Sequence, residues 1–486
     1  MKTTFRSISA VLFAALLIAL LAACGGGGGT VSDVGAVSDT AQDVTDAAET
    51  GTTSALSTIK QEDFGGKDFR IISTNQDNRH VDVVAEEENG ATLNDLVYRR
   101  NRTIEEMFNV KISANDDSYS NITSMAIKSS QAGDNPYDLY MTNFTGHSAA
   151  TAGALIAWNT LDSMDISKPW WDQGAINEMA IGGNSYLITG DISPTCLLTS
   201  ECILFNKRLL ESIGMEQPYD EAFGGTWTID LMTKLTADLT SDLDGDGVLS
   251  DKTDLYSFSL WFDGSTALFY GAGGYLCTRD ADNMPVLAFS TEKNISVYEK
   301  MFKLIVDNRA NYSKSDHVQS FNVFKEGRAY FLDITFQKID TFLRDMNDDF
   351  GILPLPKYDE AQENYLTNVS GAGTAIILPK STPDLNFAGR VIDGMAAASY
   401  DTITPVLYDV IAGTKNVRDA ESSDMVQLII RNRVYDPIRM YNIPGGDVAE
   451  DLMKQASPDI VSYFAGKEEA AKAQLQKLIE AFLAVQ

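Results

Sequence analysis

The stretch LNDLVYRRNRTIEEMFNVKIS, residues 93–113, decides the fold. Leu93, Leu96, Val97, Ile104, Met107 and Phe108 share one face of a 3.6-residue period, so an amphipathic helix is expected. Val110 and Ile112 open a strand directly after it. Upstream, DFRIIS (68–73) reads as a strand, and downstream YDLYMTN (137–143) reads as another. Strand, helix and strand in that order begin a parallel sheet with helices on its faces. ECILFNKRLLESIGM (201–215) repeats the strand-to-helix step, and RAYFLDIT (328–335) and TAIILP (374–379) add strands. The last hundred residues carry mostly helical patterns, including SSDMVQLIIRNRVYD (422–436) and KEEAAKAQLQKLIEAFLAV (467–485). There is no internal repeat.

The N-terminus reads differently. Lys2 and Arg6 precede the apolar run ISAVLFAALLIALLAA (8–23), which is short for a membrane span of ~20 residues and suits a signal peptide. Leu21-Ala22-Ala23-Cys24 resembles the bacterial lipobox, whose cysteine is lipidated after cleavage. Residues 1–23 are therefore expected as a lipoprotein signal peptide. Residues 24–60 are expected as the lipidated Cys24 and a disordered linker. The linker lacks aromatic residues and is rich in Gly, Ser, Thr, Ala and Asp. As a coil, the 36 residues after Cys24 would span ~33 Å.

The remaining body, 61–486, is long enough for two or more lobes. The chain carries a net charge of -30, and losing Lys2 and Arg6 takes it to -32. Such acidity argues against nucleic acid and favours neutral or cationic ligands, or simply aids solubility. Beyond Cys24 there are three cysteines, Cys196, Cys202 and Cys277, an odd number for an internal disulfide framework. Catalytic patterns are thin. The three histidines, His80, His147 and His317, are scattered, and no zinc-protease, nucleophile-elbow or phosphate-loop motif occurs.

One metal motif stands out. In DLDGDGVLSDKTD (242–254), Asp242, Asp244 and Asp246 take positions 1, 3 and 5 of a calcium loop, with Gly247 at the turn. Val248 would offer its carbonyl and Ser250 a water. Position 12 is Thr253, so Asp251 or Asp254 would have to close the site. A structural Ca2+ is expected, against the alternative of a solvated acidic turn.

Several segments, in order, carry a family resemblance: ATLNDLVYRRNRTIEEMFNVKI (91–112), KPWWD (168–172), ILFNKRLLESIGMEQPYD (203–220), TWTIDLMTKL (226–235), DFGILPLPKYD (349–359) and RNRVYD (431–436). Together they resemble the extracellular solute-binding lipoproteins of carbohydrate ABC importers. The resemblance implies a two-lobed, periplasmic-binding-protein-like α/β fold. Each lobe would be a mixed or parallel sheet flanked by helices, with the ligand cleft between them. It implies one lobe from 61–195 and 371–412, and a second from 196–370 and 413–486. It also implies a non-enzymatic receptor on the outer face of the bacterial cytoplasmic membrane, with a mono- or oligosaccharide and ABC permease subunits as partners. A surface enzyme acting on polysaccharide and a sensor lipoprotein of the same fold are the alternatives.

A sugar cleft needs aromatic faces and fixed polar groups. Trp261 follows a strand in SLWFDGS, and Trp170 lies in KPWWD. Asn75, Gln76 and Asn143 fall at strand ends, where open α/β sheets bind ligands. Asp333 interrupts the apolar strand YFLDITF and needs a partner there. These six are the expected ligand contacts.

Overall fold

The computed structural model describes residues 53–413 and 419–484. The signal segment and Cys24 lie outside them. Thirteen strands fall within this range. They are β1 (Lys67–Thr74), β2 (Val110–Asp117), β3 (Leu139–Asn143), β4 (Glu201–Asn206), β5 (Tyr256–Trp261), β6 (Cys277–Arg279), β7 (Pro285–Leu287), β8 (Asn311–Ser313), β9 (Ala329–Thr335), β10 (Phe350–Leu353), β11 (Thr367–Asn368), β12 (Thr374–Ile377) and β13 (Arg433–Val434).

The first sheet has the order β12-β3-β1-β2. β1 pairs parallel with both β2 and β3, as the strand–helix–strand reading requires. β12 returns antiparallel to β3, so the sheet is mixed. The helix Thr92–Phe108 buries Val97, Ile104 and Phe108 and ends at Asn109, whose φ of 49° stops it. Ile104 and Phe108 join Phe69, Ile71, Met141, Ile376 and Phe387 in one core. The other face of the sheet, with Ile72, Tyr140 and Ile377, joins the core around the second sheet.

The second sheet has the order β10-β4-β9-β5-β8. β4 runs antiparallel to β10 and β9, whereas β9, β5 and β8 are parallel. Every residue of β4 and β9 is buried, which suits their near-continuous apolar sequence. That burial makes the two acids they contain, Glu201 and Asp333, conspicuous.

Between the sheets the chain crosses near β11 and β13, which pair parallel. Asp172 anchors the second of these strands. It accepts from Arg433 Nε at 2.9 Å and from the Tyr435 hydroxyl at 2.7 Å, and it caps the helix Gln173–Met179. The next acid, Asp436, turns the other way and accepts the backbone N–H of Leu276 at 2.7 Å and of Cys277 at 3.2 Å.

The ordered body begins before residue 61, which corrects the expected linker. Leu56–Thr58 form a 3-10 turn. Ala55 and Ile59 are buried beneath it. Asp401 accepts the backbone N–H of Ala55 at 3.0 Å and of Leu56 at 2.9 Å, and the Ser54 hydroxyl at 2.7 Å. A polar composition signalled disorder, but two apolar residues and a carboxylate nearly 350 positions away order the segment. The three cysteines beyond Cys24 are free thiols, and Cys196 and Cys202 are buried. No helix among the described residues is long and apolar enough to cross a membrane.

Candidate functional site

The strand ends of the first sheet open onto a cavity of about 210 Å³. Gln76, just past β1, and Asn143, at the end of β3, line one side. Arg439, Asn442 and Asp447, from the segment after the last crossing, line the other. Asn143 is fixed by its own turn, since its Oδ1 accepts the backbone N–H of Thr145. The side-chain oxygen of Gln76 is buried without a partner. Asn75 is exposed and donates to Asp116, so it does not line this cavity.

Arg439 connects the cavity to a group of acids at one end of the second sheet. It pairs with Asp263 at 2.5 Å, and both side chains are about nine-tenths buried. Asp263 lies in the first turn of the helix Phe262–Gly271. Asp333 of β9 faces that turn so closely that a Cβ on Gly264 would sit 2.2 Å from its Oδ1. Glu201 of β4 joins them through strand register. Ile203 stands opposite Asp333 and Glu201 opposite Thr335, so Glu201 and Asp333 share one face.

Asp333 and Glu201 are 0 % exposed. Neither Asp333 oxygen has a hydrogen-bond partner, nor does Glu201 Oε2. Glu201 Oε1 accepts from Asn368 at 3.2 Å. Burial, and then the neighbouring Asp333 charge, push the Glu201 carboxyl well above the usual carboxylate range. Burial and the Asp263 charge do the same to Asp333. The Thr266 and Tyr270 hydroxyls, on the same helix face as Asp263, are also buried without partners. An unmade buried hydrogen bond costs ~1–3 kcal/mol, so these groups concentrate unmet hydrogen-bonding capacity in one place.

Two expected contacts fall elsewhere. Trp261 follows the register of β5 on β9, where Ser259 stands opposite Leu332, so it leaves the sheet on the face away from Asp333. There it packs against His317 at 5.5 Å and Phe321 at 6.3 Å between ring centroids. Trp170 is 3 % exposed, and its indole N–H and that of Trp171 both donate to Asp393. It borders a separate cavity of about 550 Å³ beside Asp172, Tyr408 and Arg433. Most polar groups there are already paired, Arg433 with Asp172 and Asp191 with Thr404. That cavity is the larger of the two, and Arg433 Nη1 is a buried donor there without a hydrogen-bond partner.

Glu201, Asp263, Tyr270 and Arg439 escaped the sequence reading. Glu201 carried the same signal as Asp333, a charge inside the apolar run SECILF. Arg439 carried none, because its role comes from a partner 176 positions away.

The acidic loop brings three carboxylates together. Carboxylate oxygens of Asp242, Asp244 and Asp246 all lie within 4.8 Å of one another, the only such acid, His or Cys group among the described residues. Gly245 and Gly247 take φ of 72° and 84°, which lets the backbone turn around them. Asp254 plays a different part from that expected. Its oxygens accept the backbone N–H of Leu243 at 2.8 Å and of Ser250 at 2.7 Å, so it clips the loop ends together. Those bonds, Leu243 first, hold its carboxyl below the usual range. The Val248 and Ser250 backbone N–H groups bond Asp246 and Asp254, and the Asp251 carbonyl accepts from Arg328.

The fold is similar to that of several solved binding proteins. A cyclo/maltodextrin-binding protein complexed with maltotetraose matches with a TM-score of 0.59 at 14% identity, over 85% of this chain and 98% of that one. UspC of M. tuberculosis matches with a TM-score of 0.57 at 15% identity, over 84% of this chain and 99% of that one. An extracellular solute-binding protein from Staphylococcus aureus in complex with maltose matches with a TM-score of 0.55 at 11% identity, over 85% and 98%. No family model matches the chain, and no curated protein matches it. The likeness establishes the fold: a two-lobed, periplasmic-binding-protein-like α/β architecture.

Proposed function

We propose that the protein is a receptor that captures a carbohydrate outside the cell and delivers it to an ABC importer, without chemical conversion. The observation that carries this reading is the group of buried, partnerless polar atoms on Asp333, Glu201, Arg439, Thr266 and Tyr270, of which Arg439 also lines the cavity at the strand ends. Sugar hydroxyls supply donors and acceptors at close spacing, which is what such atoms lack. The solved structures with this fold named above as complexes hold maltotetraose and maltose, which supports a carbohydrate here. Lobe closure by hinge motion would enclose the ligand. The lobe limits, 61–195 with 371–412 and 196–370 with 413–486, are part of this proposal. So is the lipid anchor at Cys24 on the outer face of the cytoplasmic membrane.

The loop Asp242–Asp254 is proposed to bind a structural Ca2+. Three converging carboxylates fit a hard cation that takes several oxygens.

The test is a thermal-shift screen of mono- and oligosaccharides, followed by calorimetry and mass analysis of the recovered sugar. A sugar that raises the melting temperature and is recovered intact supports the receptor. A sugar recovered cleaved points to a surface enzyme. A fully folded body that responds to no sugar overturns the reading.

A further inference from the structure

The acids beside Arg439 outnumber the bases. Glu201 and Asp263 share a single guanidinium, which is already paired with Asp263 at 2.5 Å, and Asp333 adds a third acid beside them. Asp447 approaches Arg439 Nε from the outer side at 3.7 Å and adds a further negative charge. The charged neighbours of Glu201 are Asp333, Asp263 and Arg439, and those of Asp333 are Asp263 and Glu201. Among the described residues, Arg439 is the one basic neighbour of this pair of acids.

We propose that the ligand is a cationic sugar, an amino sugar whose ammonium group lies between Asp333 and Glu201 while its hydroxyls meet Thr266, Tyr270 and Arg439. This rests on the reading of the protein as a sugar receptor. An ammonium brings three donors and one positive charge. It reaches both bare oxygens of Asp333 and the free oxygen of Glu201, and it stabilises the ionised carboxylates that a neutral hydroxyl leaves protonated.

Two observations narrow the class. Thr266 and Tyr270 are each 2 % exposed, and their hydroxyls have no partner. They follow Asp263 by three and seven positions on one helix face, so the site asks for hydroxyl-sized partners beside the charge. A bare metal ion is disfavoured by geometry. Oxygens of Glu201, Asp263 and Asp333 do not converge as the loop carboxylates do. Arg439 borders the open cavity together with Gln76 and Asn143.

The experiment uses matched sugars on the intact lipid-free body. D-glucosamine, D-galactosamine and a chitosan trimer are titrated beside D-glucose, D-galactose and cellotriose. An amino sugar is expected to bind at least tenfold more tightly than its hydroxyl counterpart. Its binding is also expected to release protons near neutral pH, because the charged ligand drives Glu201 and Asp333 to ionise. Titration in two buffers of different ionisation enthalpy reads that release. Asp333→Asn should abolish both the preference and the proton release while retaining weaker sugar binding, and Glu201→Gln should do so in part. If Asp333→Asn fails to fold, the wild-type two-buffer titration carries the test. Equal or tighter binding of the neutral sugars, without proton release, overturns the proposal and leaves the receptor reading standing. If no sugar of either kind binds the folded wild type, both fall.

Discussion

Glu201 and Asp333 project from one face of adjacent antiparallel strands and are buried together, each within reach of the other's charge. Native burial holds a proton on these carboxyls that the unfolded chain releases near pH 4. Glu178 and Asp191, pushed by burial to about 7, and Asp436, pushed to about 6, behave alike. Above pH ~4 the native state therefore binds more protons than the unfolded state, so stability falls as pH rises. Each pH unit of that window costs about 1.4 kcal/mol per fully buried group. The ligand-free body should melt at a higher temperature near pH ~5 than near pH ~8. Asp333→Asn should flatten the dependence. Thermal melts across this range check it, and a wild-type melting temperature that rises with pH refutes it.

Asp393 accepts from two indoles at once, at 2.7 Å from Trp170 and 3.0 Å from Trp171. Asp393→Ala strands both buried donors and should destabilise the body by about 2–4 kcal/mol. Urea unfolding reads the loss. Sugar affinity under folding conditions should not change, because neither tryptophan lines the cavity beside Arg439. A large change in affinity would put Trp170 back at the ligand.

Asp401 orders the turn at Leu56–Thr58. Asp401→Ala should free that turn and speed trypsin cleavage after the exposed Lys60, with little change in the global urea midpoint. Equal cleavage rates in both proteins would show that the turn does not depend on this carboxylate.

Calcium should raise the melting temperature of the wild type and leave that of an Asp242→Asn, Asp246→Asn double variant unchanged. At a hundredfold excess over Kd, a native-only ligand adds ~2.7 kcal/mol. In chelator the double variant should be at least as stable as wild type, since it relieves repulsion among the three carboxylates. Identical wild-type melts in chelator and in calcium would reject the metal.

Cys24→Ser should leave the protein in the soluble fraction or as an uncleaved precursor, with unchanged sugar binding. Fractionation and incorporation of labelled lipid measure it. Normal lipid labelling of the variant would exclude Cys24 as the anchor.

The parts of this structure that a reader of the sequence can find are those set by local pattern. Residues 67–117 show strand, helix and strand because apolar spacing changes period at Leu93 and again at Val110. Asp333 was legible as an acid in an apolar run. What it faces was not, because the register of β4 on β9 is fixed by the whole second sheet. The same register turns Trp261 away from Asp333, a parity that no spacing within SLWFDGS reveals. Trp170 illustrates a second limit. Its acceptor, Asp393, lies 223 positions further along the chain, so an aromatic that looked free for ligand was already occupied.

The last crossing has a mechanical consequence. Arg433 and the Tyr435 ring are gripped by Asp172, and the Tyr435 backbone N–H donates to Glu178. One residue later, Asp436 grips the backbone at Leu276 and Cys277. The clamp on one side thus ends where the clamp on the other begins. Opposed grips thus hold two successive residues, and the peptide bond between Tyr435 and Asp436 has little freedom to turn, so this stretch of chain passes on any displacement of Asp172 or Glu178 to the backbone at Leu276 and Cys277.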